Sequence, residues 1–203
     1  MIKGMTLNDI KKMNNIHNIP KWVHINKNIL FDYRLCEALT NEVDYNVREY
    51  KYDFDVYLSK YDINLQRPYV WEGHQQREFI LSILLEKPID PVVLIQYETG
   101  ENRNDATFFV IDGKQRLMTL QKFLRNEFYI IVNGEEVYFK DFDENLKRFF
   151  KRRANDMTGI VYYSYPDQEV DDDMKIILFN FYNFAGTPQT EAHKNKLQSL
   201  LRK

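Results

Sequence analysis

Hydrophobic and polar positions follow two different periods along the middle of the chain, and the switch between them is sharpest at residues 108–124. Phe108, Phe109, Val110 and Ile111 form an apolar run that stops at Asp112-Gly113, after which apolar residues recur at Leu117, Leu120, Phe123 and Leu124. The run reads as a buried strand, Gly113 as a tight turn, and the three-and-four spacing beyond it as an amphipathic helix. Upstream, 61–65 alternates as a strand closed by Gln66-Arg67-Pro68, and a helix starts at Trp71 with Phe79, Ile80, Ile83 and Leu84 as its buried stripe. Pro91 then precedes a strand over 92–95. Downstream, 128–132 and 135–139 flank Asn133-Gly134, a strong hairpin turn. Helices over 144–153, with Leu146, Phe149 and Phe150 inside, and over 170–184 bracket a strand at 159–165. Thr190 is placed to cap a last helix through 201.

The first 60 residues give weaker signals: a short helix ending before Pro20, a strand at 22–25, a helical turn or two within 35–43 and an alternating stretch over 50–58. The order strand, helix, strand, strand, helix across 61–126 predicts an α+β fold, a mixed sheet core with flanking helices and a helical C-terminal segment. Residues 1–60 are read as an N-terminal extension and 61–203 as the domain. The extension is left open as a variable appendage, a homo-oligomer contact or a partner site.

Composition narrows the class. With 203 residues, 44% hydrophobic and 15% aromatic, the chain has the means to bury a core, and disorder is not expected. A formal charge of −2 excludes a globally basic nucleic-acid binder and leaves room for a local patch. Cys36 alone allows neither an internal disulfide nor a cysteine-based zinc cluster, which suits a reducing cytoplasm. No apolar stretch approaches a membrane span and no signal-peptide core stands at the N-terminus, so the expected location is cytoplasmic, with no membrane partner. Abundant Asn, Lys, Ile and Tyr suggest an AT-rich genome, that of a phage or a low-GC bacterium, and a phage protein would work in the host cytoplasm.

Three groups of residues carry candidate chemistry. The first is Asp112, Gly113, Lys114, Gln115 and Arg116, an acid, two cations and an amide at a helix N-terminus, where free N–H groups and the helix dipole favour an anion such as phosphate. Asp112 reads equally as a metal-facing or water-orienting acid and as a cap on the helix. Gly113 supplies backbone freedom or close approach. Lys114 and Arg116 sit at the positive end of the dipole, which an anionic partner would offset. The second group is Gln66, Arg67 and Trp71, with Arg77 on the following helix; Trp71 is either a base-stacking ring or core. The third is Lys147, Arg148, Lys151, Arg152 and Arg153 around Phe149 and Phe150, either a nucleic-acid footprint or a solvated helix face. His74 has no partner at metal-ligand spacing, and Asp171, Asp172 and Asp173 are placed for the dipole of their helix rather than for a metal.

These segments together resemble the DGQQR-motif family, the N-terminal domain of the GmrS part of modification-dependent restriction systems. The resemblance rests on Leu65-Gln66-Arg67-Pro68-Tyr69-Val70-Trp71, on 79–85 with Pro88-Ile89, and on Val110-Ile111-Asp112-Gly113-Lys114-Gln115-Arg116-Leu117 with Thr119-Leu120. The tail, Phe179 and Asn183 before Gly186-Thr187-Pro188, is similar too, so the likeness covers about 60–200. It implies a ParB/sulfiredoxin-like core and binding of a nucleoside triphosphate (NTP). Gln66, Arg67, Arg77, Gly113, Lys114 and Gln115 are the implied nucleotide contacts, with Asp112 and Arg116 as the catalytic pair. If the protein is hydrolytic, Mg2+ is the implied metal, held by Asp112. Lys114 stands where the family usually has Gln, which removes an amide suited to positioning water. Gln189 departs from an apolar preference. Family restriction enzymes carry a further nuclease region, and 186–203 holds only His193 and no nuclease motif, so the expectation is cleavage by a separate nuclease subunit or domain, or no cleavage. Two classes remain: a nucleotide-dependent enzyme or switch acting with DNA, and a non-catalytic DNA-binding or assembly module that keeps the fold.

Overall fold

A computed structural model of the chain describes residues 24–30, 35–40, 50–99, 105–164, 170–184 and 199. Its centre is a five-stranded mixed sheet. The two middle strands, β5 (Val92–Thr99) and β6 (Asp105–Asp112), run antiparallel to each other. Beyond β5 lies β9 (Thr158–Ser164), parallel to it, and then β1 (His24–Leu30), antiparallel to β9. Beyond β6 lies β2 (Tyr50–Asp53), parallel to it. The expected α+β class, a mixed sheet with flanking helices, is what the chain forms.

Both faces of the sheet are covered, which is why β5 and β6 read as unbroken apolar runs. Successive residues point to opposite faces. Val92, Leu94, Phe108 and Val110 join a core with α1 (Leu35–Thr40), α2 (His74–Leu84), α3 (Lys114–Leu124) and α4 (Glu144–Asn155). Val93, Ile95 and Ile111 join a second core. That one is closed by the short hairpin of β3 (Tyr57–Leu58) and β4 (Ile63–Asn64) and by α5 (Asp172–Phe184). Phe123 stands at the middle of the first core, within 6.0 Å, centroid to centroid, of Phe128, Phe139, Phe142 and Phe150. Among the described residues, the later helices therefore do not gather into a separate bundle. α4 and α5 clasp opposite faces of one sheet.

Local departures from the expected elements have identifiable causes. The stretch 50–58 is two strands, because the Asp53 carboxylate accepts the N–H groups of Asp55 (3.0 Å) and Val56 (2.8 Å) and turns the chain. The strand expected at 61–65 contracts to β4. The helix expected from Trp71 begins at His74, behind Gly73 with φ +42°. A second short hairpin, β7 (Ile130–Val132) and β8 (Glu135–Val137), forms around Asn133-Gly134. Phe139 leaves it for a 3-10 turn, Phe139–Asp141, drawn in where the Asp141 carboxylate accepts the Tyr138 N–H at 2.9 Å. In α4 Phe150 is buried, whereas Phe149 is half-buried and Leu146 exposed.

The sheet also crosses the division drawn at residue 60, since β1 and β2 are its two edges and Leu35, Cys36 and Leu39 lie in the first core. The helices expected in 1–20 and 190–201, Trp22, most of the 100–105 connection and the Gly186-Thr187-Pro188 segment lie outside the described residues. Among the described residues no helix is long and apolar enough to cross a membrane.

Candidate functional site

β6 delivers Asp112 to its C-terminal end, and the chain reverses there through Gly113, at φ +102°, into α3. The first turn of α3 has neither a side-chain cap nor an acidic residue. Its first intrahelical bond runs from the Leu117 N–H to the Gly113 carbonyl (2.9 Å), so the N–H groups of Lys114, Gln115 and Arg116 have no acceptor within the helix. They open on a cleft of about 320 Å³ whose wall includes Gln66, Arg67, Trp71, Asp112, Gly113, Lys114, Gln115, Arg116, Tyr182 and Asn183. The first candidate group, 112–116, and Gln66, Arg67 and Trp71 of the second thus line one cleft.

The amides of this site are builders. Gln66 donates from Nε2 to the carbonyls of Val110 (2.7 Å) and Ile111 (2.8 Å), tying its own segment to the end of β6. Asn183 of α5 donates to the same Ile111 carbonyl at 3.1 Å. Gln115, only 9% exposed, accepts the N–H groups of Val70 (2.9 Å) and Trp71 (3.2 Å) and donates to the Pro68 carbonyl at 3.1 Å. Tyr69 bonds Thr119 at 2.8 Å, and Gln76 reaches both the Tyr69 hydroxyl and the Trp71 carbonyl at 3.0 Å. A segment with no regular structure is thereby held rigid against α3. The Trp71 ring packs edge-on against Phe79 at 5.8 Å, as its core reading expects, and also lines the cleft.

The cations differ in how far they are committed. Lys114 is 5% exposed, and its ammonium meets Asp55 at 2.6 Å. Arg116 pairs with Asp112 at 2.9 Å through Nη2, while Nη1 donates to the carbonyls of Asp90 and Pro91. The other Asp112 oxygen accepts the Gly113 N–H at 2.8 Å, so the carboxylate holds the turn and the guanidinium at once. Arg67 is exposed and, among the described residues, has neither an ion pair nor a hydrogen bond. Arg77 is not part of the cleft wall; its guanidinium lies by Gly73, where an added Cβ would stand 3.7 Å from Nη2. His74 stays on the surface, 4.0 Å from Glu78.

Tyr182 was not legible as a site residue, and its position on α5 brings it in from the opposite side of the cleft. Its hydroxyl shares a 2.6 Å hydrogen bond with that of Tyr162. Burial pushes both phenols above their ordinary range, so Tyr182 is a neutral wall and not a base. Asp55 is also unmarked in the sequence, because its partner Lys114 stands 59 positions away. No group of three or more His, Cys, Asp or Glu suited to a metal occurs among the described residues. Among the described residues Asp112 is the one carboxylate in the cleft wall. Mg2+ is commonly held by one or two carboxylates together with substrate phosphates, so Asp112 fits such an ion only alongside a bound phosphate.

The basic run on α4 divides. Lys147, Arg148 and Lys151 line a second cleft, whereas Arg153 is paired with Glu86 (2.7 Å) and Asp156 (3.5 Å), and Arg152 stacks over Phe149 at 5.9 Å. Comparison with curated proteins gives no match, and comparison with solved structures gives none. Residues 54–201, which contain every described residue of the Gly113 cleft wall, match the sequence model of the GmrSD restriction endonuclease N-terminal domain, and the chain belongs to that family.

Proposed function

We propose that the cleft at the start of α3 binds a nucleoside triphosphate through its phosphates, as the nucleotide-responsive part of a restriction system that works with DNA. The observation that carries this reading is the pairing of an uncapped helix N-terminus with Arg67, an uncommitted cation on the facing wall. Arg67 reaches a phosphate without breaking any existing contact, and Trp71 and Tyr182 offer aromatic surface to the rest of the ligand. Arg116 orients the site from behind by fixing Asp112. Asp112 would hold Mg2+ together with the bound phosphates, and the ion would supply charge neutralisation.

The same geometry favours binding over turnover. Asp112 already accepts from Gly113 and Arg116, which leaves it poorly placed to take a proton from water. Lys114, where the family usually carries an amide, is held by Asp55.

Thermal shift with a panel of NTPs, with and without Mg2+, tests the reading. A hundredfold excess over Kd stabilises the folded state by about 2.7 kcal/mol. Arg67→Ala removes a charge-assisted contact worth about 1.5–3 kcal/mol, a loss of roughly tenfold or more in affinity, with little change in stability. Wild-type protein whose melting temperature ignores every nucleotide would sink the proposal.

A further inference from the structure

We propose that Tyr182 is the residue with which the Gly113 cleft selects its base: its hydroxyl donates a hydrogen bond to a ring nitrogen or carbonyl oxygen of the nucleobase, and Tyr162 behind it fixes that direction. The inference rests on the nucleotide reading and adds the part of the ligand that the helix N-terminus and Arg67 do not address.

Both tyrosines belong to the second core. Tyr162 stands opposite Ile95 in the register of β9 with β5 and is 3% exposed. Tyr182 follows Phe179 by three positions on α5 and extends the helix face that packs against that core. A phenol hydroxyl in such a place is costly unless it is bonded, and the two hydroxyls meet each other at 2.6 Å. The pair holds two protons, and its one hydrogen bond uses one of them. Among the described residues neither hydroxyl has another hydrogen-bond partner. If Tyr182 donated, the Tyr162 proton would be stranded in the core. With Tyr162 donating, the remaining proton belongs to Tyr182, which lines the cleft, and nothing buried is left unpaired. Burial raises both phenols above their ordinary range, so that proton stays in place at neutral pH. Accepting from Tyr162 also makes the Tyr182 O–H a better donor, because hydrogen bonds in a chain polarise one another.

The chemistry of this donor decides its partner. Unlike Arg67 it brings no charge to a phosphate, and it suits the neutral acceptors along the edge of a base. Trp71 and Tyr182 are the aromatic residues of the described cleft wall. Stacking on a ring accepts any base, since every base has a π-face, whereas a fixed donor at the edge distinguishes one base from another.

Calorimetry with an NTP panel and with tripolyphosphate, on wild type, Tyr182→Phe and the double variant Tyr162→Phe/Tyr182→Phe, tests this. Wild type binds its preferred NTP more tightly than tripolyphosphate. Tyr182→Phe loses roughly three- to tenfold in affinity for that NTP, the range of one neutral hydrogen bond, and keeps its affinity for tripolyphosphate. It also melts lower, because the Tyr162 proton is stranded. The double variant removes both hydroxyls together, recovers the melting temperature and keeps the weakened NTP binding. An equal loss for both ligands overturns the proposal, since the contact is then to phosphate or the loss is one of structure. Recovery of NTP affinity in the double variant overturns it too, as does unchanged NTP affinity in Tyr182→Phe. The two readings fail separately. Wild type that binds neither ligand loses the nucleotide site and the role of Tyr182 with it, whereas wild type and Tyr182→Phe that bind the NTP equally well lose only the role of Tyr182.

Discussion

At Gly113 two constraints meet, a φ of +102° and a neighbour, Val92, whose Cγ1 would lie 2.5 Å from an added Cβ. Alanine must therefore enter a left-handed conformation and push β5 away. Strain of the first kind costs about 1 kcal/mol and overpacking a further 1–3. Gly113→Ala is expected to lose about 2–4 kcal/mol in urea denaturation and to abolish the nucleotide shift; a loss below about 1 kcal/mol would mean that the turn relaxes freely. Lys114 poses a different question. Lys114→Gln removes a buried ammonium and leaves Asp55, 61% exposed, to water. The expected outcome is a small change in stability together with faster phosphate release from NTP in the presence of Mg2+. An unchanged rate would show that the lysine is not what holds turnover back. The role of Gly113 was legible because strand, glycine and helix are adjacent in sequence. The neutralisation of Lys114 was not, because spacing carries no trace of a partner 59 residues away.

The same limit governs the elements. Asp171, Asp172 and Asp173 look like acids placed at a helix N-terminus, yet Asp172 and Asp173 fasten α5 to the hairpin of β3 and β4. Asp172, buried with Lys175 at 2.9 Å, also accepts the Lys60 N–H at 2.8 Å, across 112 positions. Removing one partner of a buried pair costs about 3–5 kcal/mol, so Asp172→Ala is expected to be severe and Asp172→Asn, which can still accept from Lys60, milder. Equal losses would show that charge, not the hydrogen bond, holds the clamp. Asp173 adds a dependence on pH. Lys60, at 2.8 Å, and then the Tyr61 hydroxyl hold its carboxyl below the ordinary range. A depressed folded pKa gives stability that is complete above the unfolded value, about 3.9, and is lost as pH falls through the folded value beneath it. Asp173→Asn should thus flatten the acid limb of stability, by well under about 1 kcal/mol given its exposure. Urea midpoints across that window measure it; identical limbs in both proteins would exclude the Lys60 pair as the cause. Strands β5 and β6 and helices α2, α3 and α4 were legible because each carries a local apolar period. For β2, β3 and β4 the alternation marked strand but not the bounds, since an Asp53 turn and one hairpin, and not periodicity, set where each begins and ends.

For the whole molecule, the family match begins at residue 54, while the sheet it depends on begins earlier. β1 covers the outer edge of β9 and β2 covers that of β6. Leu35 and Leu39, at 2% and 1% exposure, fill the first core beneath α3 and α4. Burying two leucines contributes about 3–6 kcal/mol, a large share of the roughly 5–15 kcal/mol that separates a folded domain from its unfolded chain. A fragment of residues 54–203 also exposes two unpaired strand edges, which invite association. That fragment is expected to melt roughly 10–20 °C below the full chain, or without a cooperative transition, by circular dichroism. The Gly113 cleft would suffer with it even though all its described wall residues are retained, because Val92 and Asp112 are presented by the two strands that the edges support. A fragment that melts within about 3 °C of the full chain and keeps its nucleotide shift would make the first 53 residues an appendage and confine the working domain to the matched segment.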